Sequence, residues 1–411
     1  MTKLLQIAII ILTTITSAVY TYHGVIIIIG LINKRRNNKS INNSIVSNCY
    51  NRICVLVCAR NEEAVIGRLI ESLKKQDYPK ECYRICVVAD NCTDNTAQIS
   101  RNLGATVYER FNDKKQSKGY ALNYFFNTNT EHFDAYCIFD ADNIVSTSYL
   151  TSINKHLNNG ETLIQGYRIA SNPTESAIAS CYALYFSFVM NLYMKSRQKL
   201  GLSCIVGGTG FAFSSELVSN GWNTQSITED AEFSIQNILN GKKVTLAEDA
   251  QFYDEQPTSF SASITQRHRW TVGTIQLLKN YAAKLTHSCG SKAHQLICFD
   301  IIMFLIAAPI SALPIITSVL FPFVFLLSGI GIWGFVLACV QSIIVSYLYN
   351  LLLAAITTVL AGEKIKQLWR GILVYPFFFL SWSIIALKCC ISDRCVWKPI
   401  IHKSSKISAE A

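Results

Sequence analysis

Residues 4–32 form one nearly uncharged apolar stretch, LLQIAIIILTTITSAVYTYHGVIIIIGLI, long enough to cross a bilayer core as a single helix. The run is longer than a signal-peptide core, and no small-x-small cleavage site separates it from the KRRNNK that follows. It therefore reads as a retained anchor whose C-terminal end lies inside. From about 50 to 290 the pattern changes to that of a globular α/β domain. RICVLVCAR (52–60), YRICVVAD (83–90), ATVYER (105–110) and AYCIFDAD (135–142) predict strands, and Val65, Ile66, Leu69, Ile70 and Leu73 share one helical face. Strands alternating with helices predict a Rossmann-like, mostly parallel sheet whose ligand crevice lies beyond the carboxyl ends of its strands. Asp90, Asp140 and Asp142 all fall there.

The C-terminal region, about 296–390, is again hydrophobic. Residues 298–361 fit two helices of about 25 residues and 372–388 one shorter helix. Three crossings from a cytosolic domain would put the basic tail, 391–411, outside, against the positive-inside rule. Either one segment is re-entrant or the long region hides another crossing. Residues 177–195 are also apolar, but their Ser, Asn and Tyr content predicts a buried or interfacial helix of the central domain, not a span. Residues 270–285 show helical periodicity with Lys279 and Lys284 among apolar positions; a helix on the bilayer surface and an ordinary domain helix both fit.

Half of the 411 residues are hydrophobic and the formal charge is +10. The positive charge flanks apolar runs, as at Lys34, Arg35, Arg36 and Lys39, and forms no basic domain. This predicts contact with a lipid bilayer and excludes nucleic acid as a partner. The fifteen cysteines follow no repeating spacing and read as reduced, mostly buried thiols facing the cytosol. Cys389, Cys390 and Cys395 crowd together, but without the ligand spacing of a metal site.

Several polar motifs interrupt this pattern. Asp90 opens DNCTDN, where a carboxylate could accept hydrogen bonds from a nucleotide base or ribose; Thr93 or Asp94 could instead simply cap the next helix. Asp140 and Asp142, in DADN, supply hard oxygen ligands suited to Mg²⁺ or Mn²⁺ carrying a diphosphate, or else they are turn aspartates. Lys118, at a helix start in SKGYALN, is either a further contact to a phosphate or a solvated lysine. The loop holding Gly208, Thr209 and Gly210 lacks the Lys-Ser/Thr of a P-loop, which argues against triphosphate hydrolysis and suggests close backbone approach to an acceptor. In ITEDAEF, Asp230 is the better placed general base, the alternative being an acidic helix N-terminus. In QRHRW, Arg267 and Arg269 could bind phosphate while Trp270 offers a flat face to a sugar ring or to the membrane interface.

Taken in order, CARNEE (58–63), DNCTDN (90–95), SKGYALN (117–123), DADN (140–143), GGTGF (207–211), TEDAEF (228–233) and Gln-x-x-Arg-Trp in QRHRW resemble the family 2 inverting glycosyltransferases. The likeness extends to processive synthases of poly-N-acetylglucosamine, chitin, hyaluronan and cellulose. It covers about 52–273 and implies a GT-A fold, α/β, held between N- and C-terminal transmembrane helices. Matched by position, Asp90, Lys118 and Asp140 would bind the donor and Asp142 the metal, with Asp230 as catalytic base. Gln266, Arg269 and Trp270 would hold the donor diphosphate and the acceptor end, to which the loop reading above already assigns Gly208, Thr209 and Gly210. The implied reaction transfers N-acetylglucosamine or glucose from a UDP-sugar to a growing polysaccharide. The alternative is a single addition to a lipid carrier or glycolipid. The implied setting is a multi-pass cell-membrane enzyme with a cytosolic catalytic domain and unknown accessory subunits. CARNEE departs from the family pattern, where a Pro and a Tyr are common, and the membrane region is modest for a polymer channel.

Overall fold

The computed structural model describes residues 2–33, 49–288 and 290–392. The basic cluster at 34–39, Cys395 and nearly all of the basic tail lie outside them. The chain opens with α1 (Thr2–Ile32) and enters the α/β region through β1 (Ile53–Ala59), α2 (Ile66–Lys74), β2 (Tyr83–Asp90), α3 (Thr96–Asn102), β3 (Thr106–Arg110), α4 (Lys118–Thr128) and β4 (Ala135–Asp140). All five apolar positions of the α2 segment are buried, as their spacing predicts. The four strands pair in parallel, in the order β3-β2-β1-β4.

Beyond β4 the expected mostly parallel sheet gives way to a mixed one. The next elements are β5 (Ile144–Val145), α5 (Tyr149–Asn158), β6 (Leu163–Ala170), α6 (Ala177–Ser187), α7 (Lys195–Lys199), β7 (Phe211–Ser214), α8 (Glu229–Leu239) and β8 (Val244–Asp254). The full order is β3-β2-β1-β4-β7-β6-β8-β5, with β7 antiparallel to both β4 and β6. The physical reason is where β7 starts: the α6–α7 rod and the loop at 200–210 return the chain to the carboxyl side of β6, with Phe211 opposite Gln165, so its four residues, FAFS, run antiparallel. Register between β6 and β8 shifts after Gly166, which pairs with Ala247 while Tyr167 pairs with Gln251. The extra residues of β8 bulge out, and the strand continues until Asp254 reaches the end of the sheet where the other aspartates lie.

Asp249 lies in that bulge and accepts from His156 Nε2 at 3.1 Å, while Glu161 meets His156 Nδ1 at 2.8 Å. Burial lowers the imidazole pKa, but the hydrogen bonds and charges of the two carboxylates outweigh it and raise the pKa to about 9. A folded pKa above the ordinary 6.5 means that this clamp contributes fully below about 6.5 and is lost as pH rises through about 9. His156→Gln should therefore lower the thermal midpoint at pH 6 and change it little at pH 10. Because both carboxylates are partly exposed, about 1–2 kcal/mol is the expected cost at pH 6.

The remaining chain is helical: α9 (Phe260–Thr286), α10 (Lys292–Ile310), α11 (Leu313–Leu327), α12 (Gly331–Leu360) and α13 (Ile365–Ile391). Residues 298–361 thus hold three helices, not two, because the chain turns at Ser311 and Ala312 and Pro314 starts α11 at its first turn. The proposed surface helix at 270–285 is the second half of α9, which buries Thr271, Val272, Ile275, Leu277, Tyr281 and Leu285. Lys279 and Lys284 project from its exposed face. Residues 177–199 form one continuous helical rod from α6 to α7, with a π-helical stretch at Phe188–Met194. The rod is largely buried, against α13 among others: Gly371 comes so close to Ser180 that a Cβ there would lie 2.5 Å from the serine Cβ.

Five helical segments among the described residues are long and apolar enough to cross a membrane: 2–32, 177–199, 292–310, 331–360 and 365–391. The first and fourth leave Leu4, Ile10, Ile343 and Leu352 exposed, a surface suited to hydrocarbon and not to water.

Candidate active site

Two loops at the carboxyl ends of β1 and β2 interlock. Asn61 Oδ1 accepts from the Thr93 amide at 2.8 Å, Glu63 Oε2 from the Asn95 amide at 3.0 Å, and the Glu62 amide donates to Thr96 Oγ1 at 2.8 Å. Asp94 accepts from the Thr96 amide at 3.0 Å. DNCTDN is therefore mostly a structural turn, with Asn61 and Asn91 in the left-handed conformation that asparagine tolerates. Asp90 stands apart from it: its Oδ1 takes hydrogen bonds from Arg110 and from Asn91 at 3.0 Å, and the residue lines a large cavity. Burial raises the Asp90 pKa, with the Arg110 guanidinium opposing the rise.

Across the same cavity, Lys118 Nζ is ion-paired with Asp140 and donates to the Gly208 carbonyl at 2.7 Å. Burial acts to lower the lysine pKa, but the charges of Asp140 and Glu229 prevail and hold it above its ordinary value. The solvated-lysine reading is thereby excluded. Asp140 is partly exposed, whereas Asp142 is buried. Burial raises its pKa well above the usual carboxylate range, and the charges of Asp254, Asp140 and Glu255 raise it further. Asn143 Nδ2 bridges the two buried acids, donating to Asp142 Oδ1 at 3.2 Å and to Asp254 Oδ1 at 2.8 Å. Asp254 itself sits 3.7 Å from Arg168, whose guanidinium also donates to the Gly207 carbonyl.

Such a concentration of acid is relieved by a divalent cation. Among the described residues no three His, Cys, Asp or Glu side chains close around a common point. The residues present fit a hard ion held by one or two carboxylates, with further oxygens from a diphosphate and water, which is how Mg²⁺ is commonly bound.

The glycine loop splits in two. Gly208 lines the cavity at φ +81°, and a Cβ there would lie 3.4 Å from Asp230 Oδ2. Thr209 and Gly210, expected at the acceptor, are buried and do not line the cavity. Thr209 Oγ1 accepts from the Asp140 amide at 2.9 Å and donates to Asn143, while Gly210 packs under the Phe252 ring. These two residues hold the aspartate loop in place.

Glu229 and Asp230 open α8 in the cavity wall. Glu232, one half-turn on, is structural: it accepts from the Gln225 and Ser226 amides at 2.7 and 2.6 Å and from Tyr281 at 2.8 Å. Burial and the charge of Asp230 push Glu229 up to about 7, against Lys118 and Arg269, and burial also raises Asp230. Both carboxyls therefore take up protons more readily than exposed ones, Glu229 near neutrality.

QRHRW lies within α9, not before it. Gln266, Arg269 and Trp270, spaced i, i+3 and i+4, share the helical face that lines the cavity. Arg267 faces the opposite way and is fully buried, donating to the Phe378 carbonyl at 2.7 Å and to Ser381 at 2.9 Å. Its expected part in phosphate binding is replaced by a part in fixing α9 to α13.

All the other expected site residues, Asp90, Lys118, Asp140, Asp142, Gly208, Asp230, Gln266, Arg269 and Trp270, line this one cavity of about 1080 Å³. So do Arg168, Asp254 and Glu255, which sequence reasoning missed. The only signal for Asp254 was its place after the apolar alternation of β8, the same strand-end position that marked Asp90.

Residues 51–273 match the family described as Glycosyltransferase like family 2. Two curated relatives are a probable glycosyltransferase of Sulfolobus acidocaldarius and a beta-monoglucosyldiacylglycerol synthase of Synechocystis. The first is 27% identical over 62% of this chain and 56% of its own length. The second is 26% identical over 69% of this chain and 62% of its own length. The chain thus spans little more than half the length of the curated relatives it matches. Among solved structures, the mannosyltransferase PcManGT from Pyrobaculum calidifontis, in complex with GDP-Man and Mn²⁺, superposes with a TM-score of 0.54 at 15% identity. That match covers 92% of this chain and 99% of the other, and it places the two in one fold. With more than half of its residues matched, the chain belongs to the family described as Glycosyltransferase like family 2 and has a GT-A-like fold.

Proposed function

We propose that this glycosyltransferase moves one sugar, with inversion, from a UDP-sugar to a lipid acceptor that reaches the catalytic carboxylates from the bilayer. One observation carries the reading: the cavity that holds Asp90, Lys118, Asp142 and Asp230 is also lined by Tyr20 of α1, Phe304 of α10, Leu353 of α12 and Phe379 of α13. A polar donor end and an apolar, helix-lined end in one cavity suit a reaction between a soluble nucleotide sugar and a membrane-embedded hydroxyl. The name of the Synechocystis relative, a glucosyldiacylglycerol synthase, fits the same acceptor class.

In this reading Asp90 accepts a hydrogen bond from the base, while Lys118 and Arg269 face the diphosphate with positive charge. Gln266 positions the donor beside them. Asp142, with Asp140 near it, would hold Mg²⁺ or Mn²⁺, which neutralises the charge that builds on the leaving group. Asp230 takes the proton of the acceptor hydroxyl. The freed oxygen forms a bond to the anomeric carbon as the bond from that carbon to the diphosphate breaks, and its electron pair leaves on the diphosphate. Gly208, lacking a side chain, lets the acceptor approach Asp230. The catalytic region is cytosolic, between 4–32 and 296–390, in a multi-pass cell-membrane protein, and the donor is UDP-glucose or UDP-N-acetylglucosamine.

A growing polysaccharide is the second acceptor class, favoured by a cluster of rings on the cavity wall. Trp270 lies nearly parallel to Tyr185, at 25° with centroids 6.3 Å apart, and Trp382 lies 6.3 Å from Trp270. Aromatic faces of this kind support sugar rings. Product size separates the two acceptors. Purified protein in lipid nanodiscs, given radiolabelled UDP-sugars, should yield a single shift of a lipid on thin-layer chromatography. A ladder would establish the polymer instead, and no nucleotide release with any donor would reject both.

A further inference from the structure

Two ionic residues are buried next to the apolar segments: Asp300, within a helix long and apolar enough to cross a membrane, is fully buried, and Arg197, in the basic KSRQK end of the 177–199 rod, is nearly so. Charges in such segments are costly and mark functional sites. Arg197 clasps Asp300 twice, Nε to Oδ2 at 3.0 Å and Nη2 to Oδ1 at 3.1 Å, and Tyr22 of α1 donates to the same carboxylate at 3.0 Å. His23 Nε2 lies 3.2 Å from the Met303 carbonyl. A carbonyl only accepts, so Nε2 carries the hydrogen and Nδ1 is an acceptor. Nδ1 faces Arg197 Nη2 at 3.4 Å and the Tyr193 hydroxyl at 3.5 Å.

One donor remains. Arg197 Nη1 is buried without a hydrogen-bond partner among the described residues, although a guanidinium N–H left unmatched away from water costs free energy. Arg197, His23 and Tyr193 line the same cavity as the catalytic carboxylates, beside Ile27, Phe188 and Phe304. Tyr193 belongs to the π-helical stretch, a feature that recurs at functional sites, and its ring centroid lies 3.4 Å from the Arg197 guanidinium carbon.

The charge balance selects the ligand. Asp300 already neutralises Arg197, and His23 in this tautomer is neutral, so a phosphate here would meet a carboxylate with no surplus cation. An N–H with its charge already matched, set in apolar walls, suits an uncharged oxygen on an amphiphile. We propose that Arg197 Nη1 binds an uncharged ester or hydroxyl oxygen of a glycerolipid, so that the cavity admits uncharged glycerolipids in preference to phosphate-bearing lipids. This rests on the lipid-acceptor reading above.

The test uses the full chain in detergent micelles, with radiolabelled dioleoylglycerol as probe and unlabelled dioleoylglycerol or dioleoyl phosphatidic acid as competitor. Dioleoylglycerol should bind roughly tenfold more tightly than phosphatidic acid, the effect of about one well-placed hydrogen bond. Arg197→Lys keeps the charge opposite Asp300 but removes the spare donor, and should weaken dioleoylglycerol roughly tenfold while leaving UDP affinity unchanged. Equal or tighter binding of phosphatidic acid, or wild-type affinity in the variant, would overturn the proposal. If Arg197→Lys does not fold, the preference of the wild-type protein decides alone. Dioleoylglycerol that binds with this preference but receives no sugar would support the site and reject the acceptor reading. Dioleoylglycerol that receives sugar with the same KM in Arg197→Lys would do the reverse.

Discussion

Asp230→Asn should reduce sugar transfer by about 10²–10⁴-fold, the range for loss of a positioned general base, while UDP still binds. Asparagine keeps the shape of the side chain in the α8 first turn and loses only the ability to take a proton. The neighbouring Glu229 does not replace it in this account, because Gly208 stands against Asp230, opening space there for the acceptor. The pH profile carries the same claim. Both carboxyls are raised, Glu229 to about 7, so the pair gains a proton as pH falls through neutrality. As Asp230 takes up a proton, transfer should therefore fall on the acid side of the kcat/KM profile, along a limb above the ordinary aspartate range. Glu229→Gln removes a negative neighbour and should move that limb to lower pH. Steady-state assays between pH 5 and 9 check both; a flat profile together with an active Asp230→Asn would remove the proposed base.

Asp142→Ala has the next largest expected effect, on the order of 10²-fold or more in transfer, with the loss appearing in the dependence on Mn²⁺ or Mg²⁺. The sign of the stability change distinguishes this from simple damage. Asp142 crowds against Asp254, Asp140 and Glu255, whose charges disfavour its ionised form. Removing it relieves repulsion in the metal-free protein, so the variant should melt no lower than the parent in chelator and should lose the stabilisation that the parent gains with Mn²⁺ and UDP. Full activity of the wild-type enzyme in chelator would contradict the metal role.

The parts of the site legible in the sequence were those with local causes. Strands β1, β2 and β4 are continuous buried runs that end in polar residues, so Asp90, Asp140 and Asp142 stood out at their tips. The spacing of Gln266, Arg269 and Trp270 marks a shared face once the segment is helical. What could not be read depends on pairings distant in the chain. β7 is four residues long and β5 two, too short for a periodic signal, and they make the sheet mixed. Arg168, Asp254 and Glu255 belong to no local motif, and the bulge that aligns Asp254 with Asp142 exists only when β6 and β8 pair. Arg267 looked equivalent to Arg269 as a basic neighbour of Trp270, yet the two residues of helix between them turn it by about 200°, into the α13 interface. The Asp300–Arg197 pair was invisible for the same reason: Asp300 is a lone charge in an apolar run, Arg197 is one of three basic residues in KSRQK, and only tertiary packing joins them.

Whether donor, proton acceptor and membrane meet in one cleft is decided by a structure of the protein in a lipid nanodisc with UDP and Mn²⁺. The uracil should lie at Asp90 and the diphosphate and ion beside Asp142, with a clear path from the diphosphate past Asp230 to the helices around Phe304 and Phe379. Nucleotide bound elsewhere, or Asp230 walled off from it by lipid or protein, would rule out a single cleft.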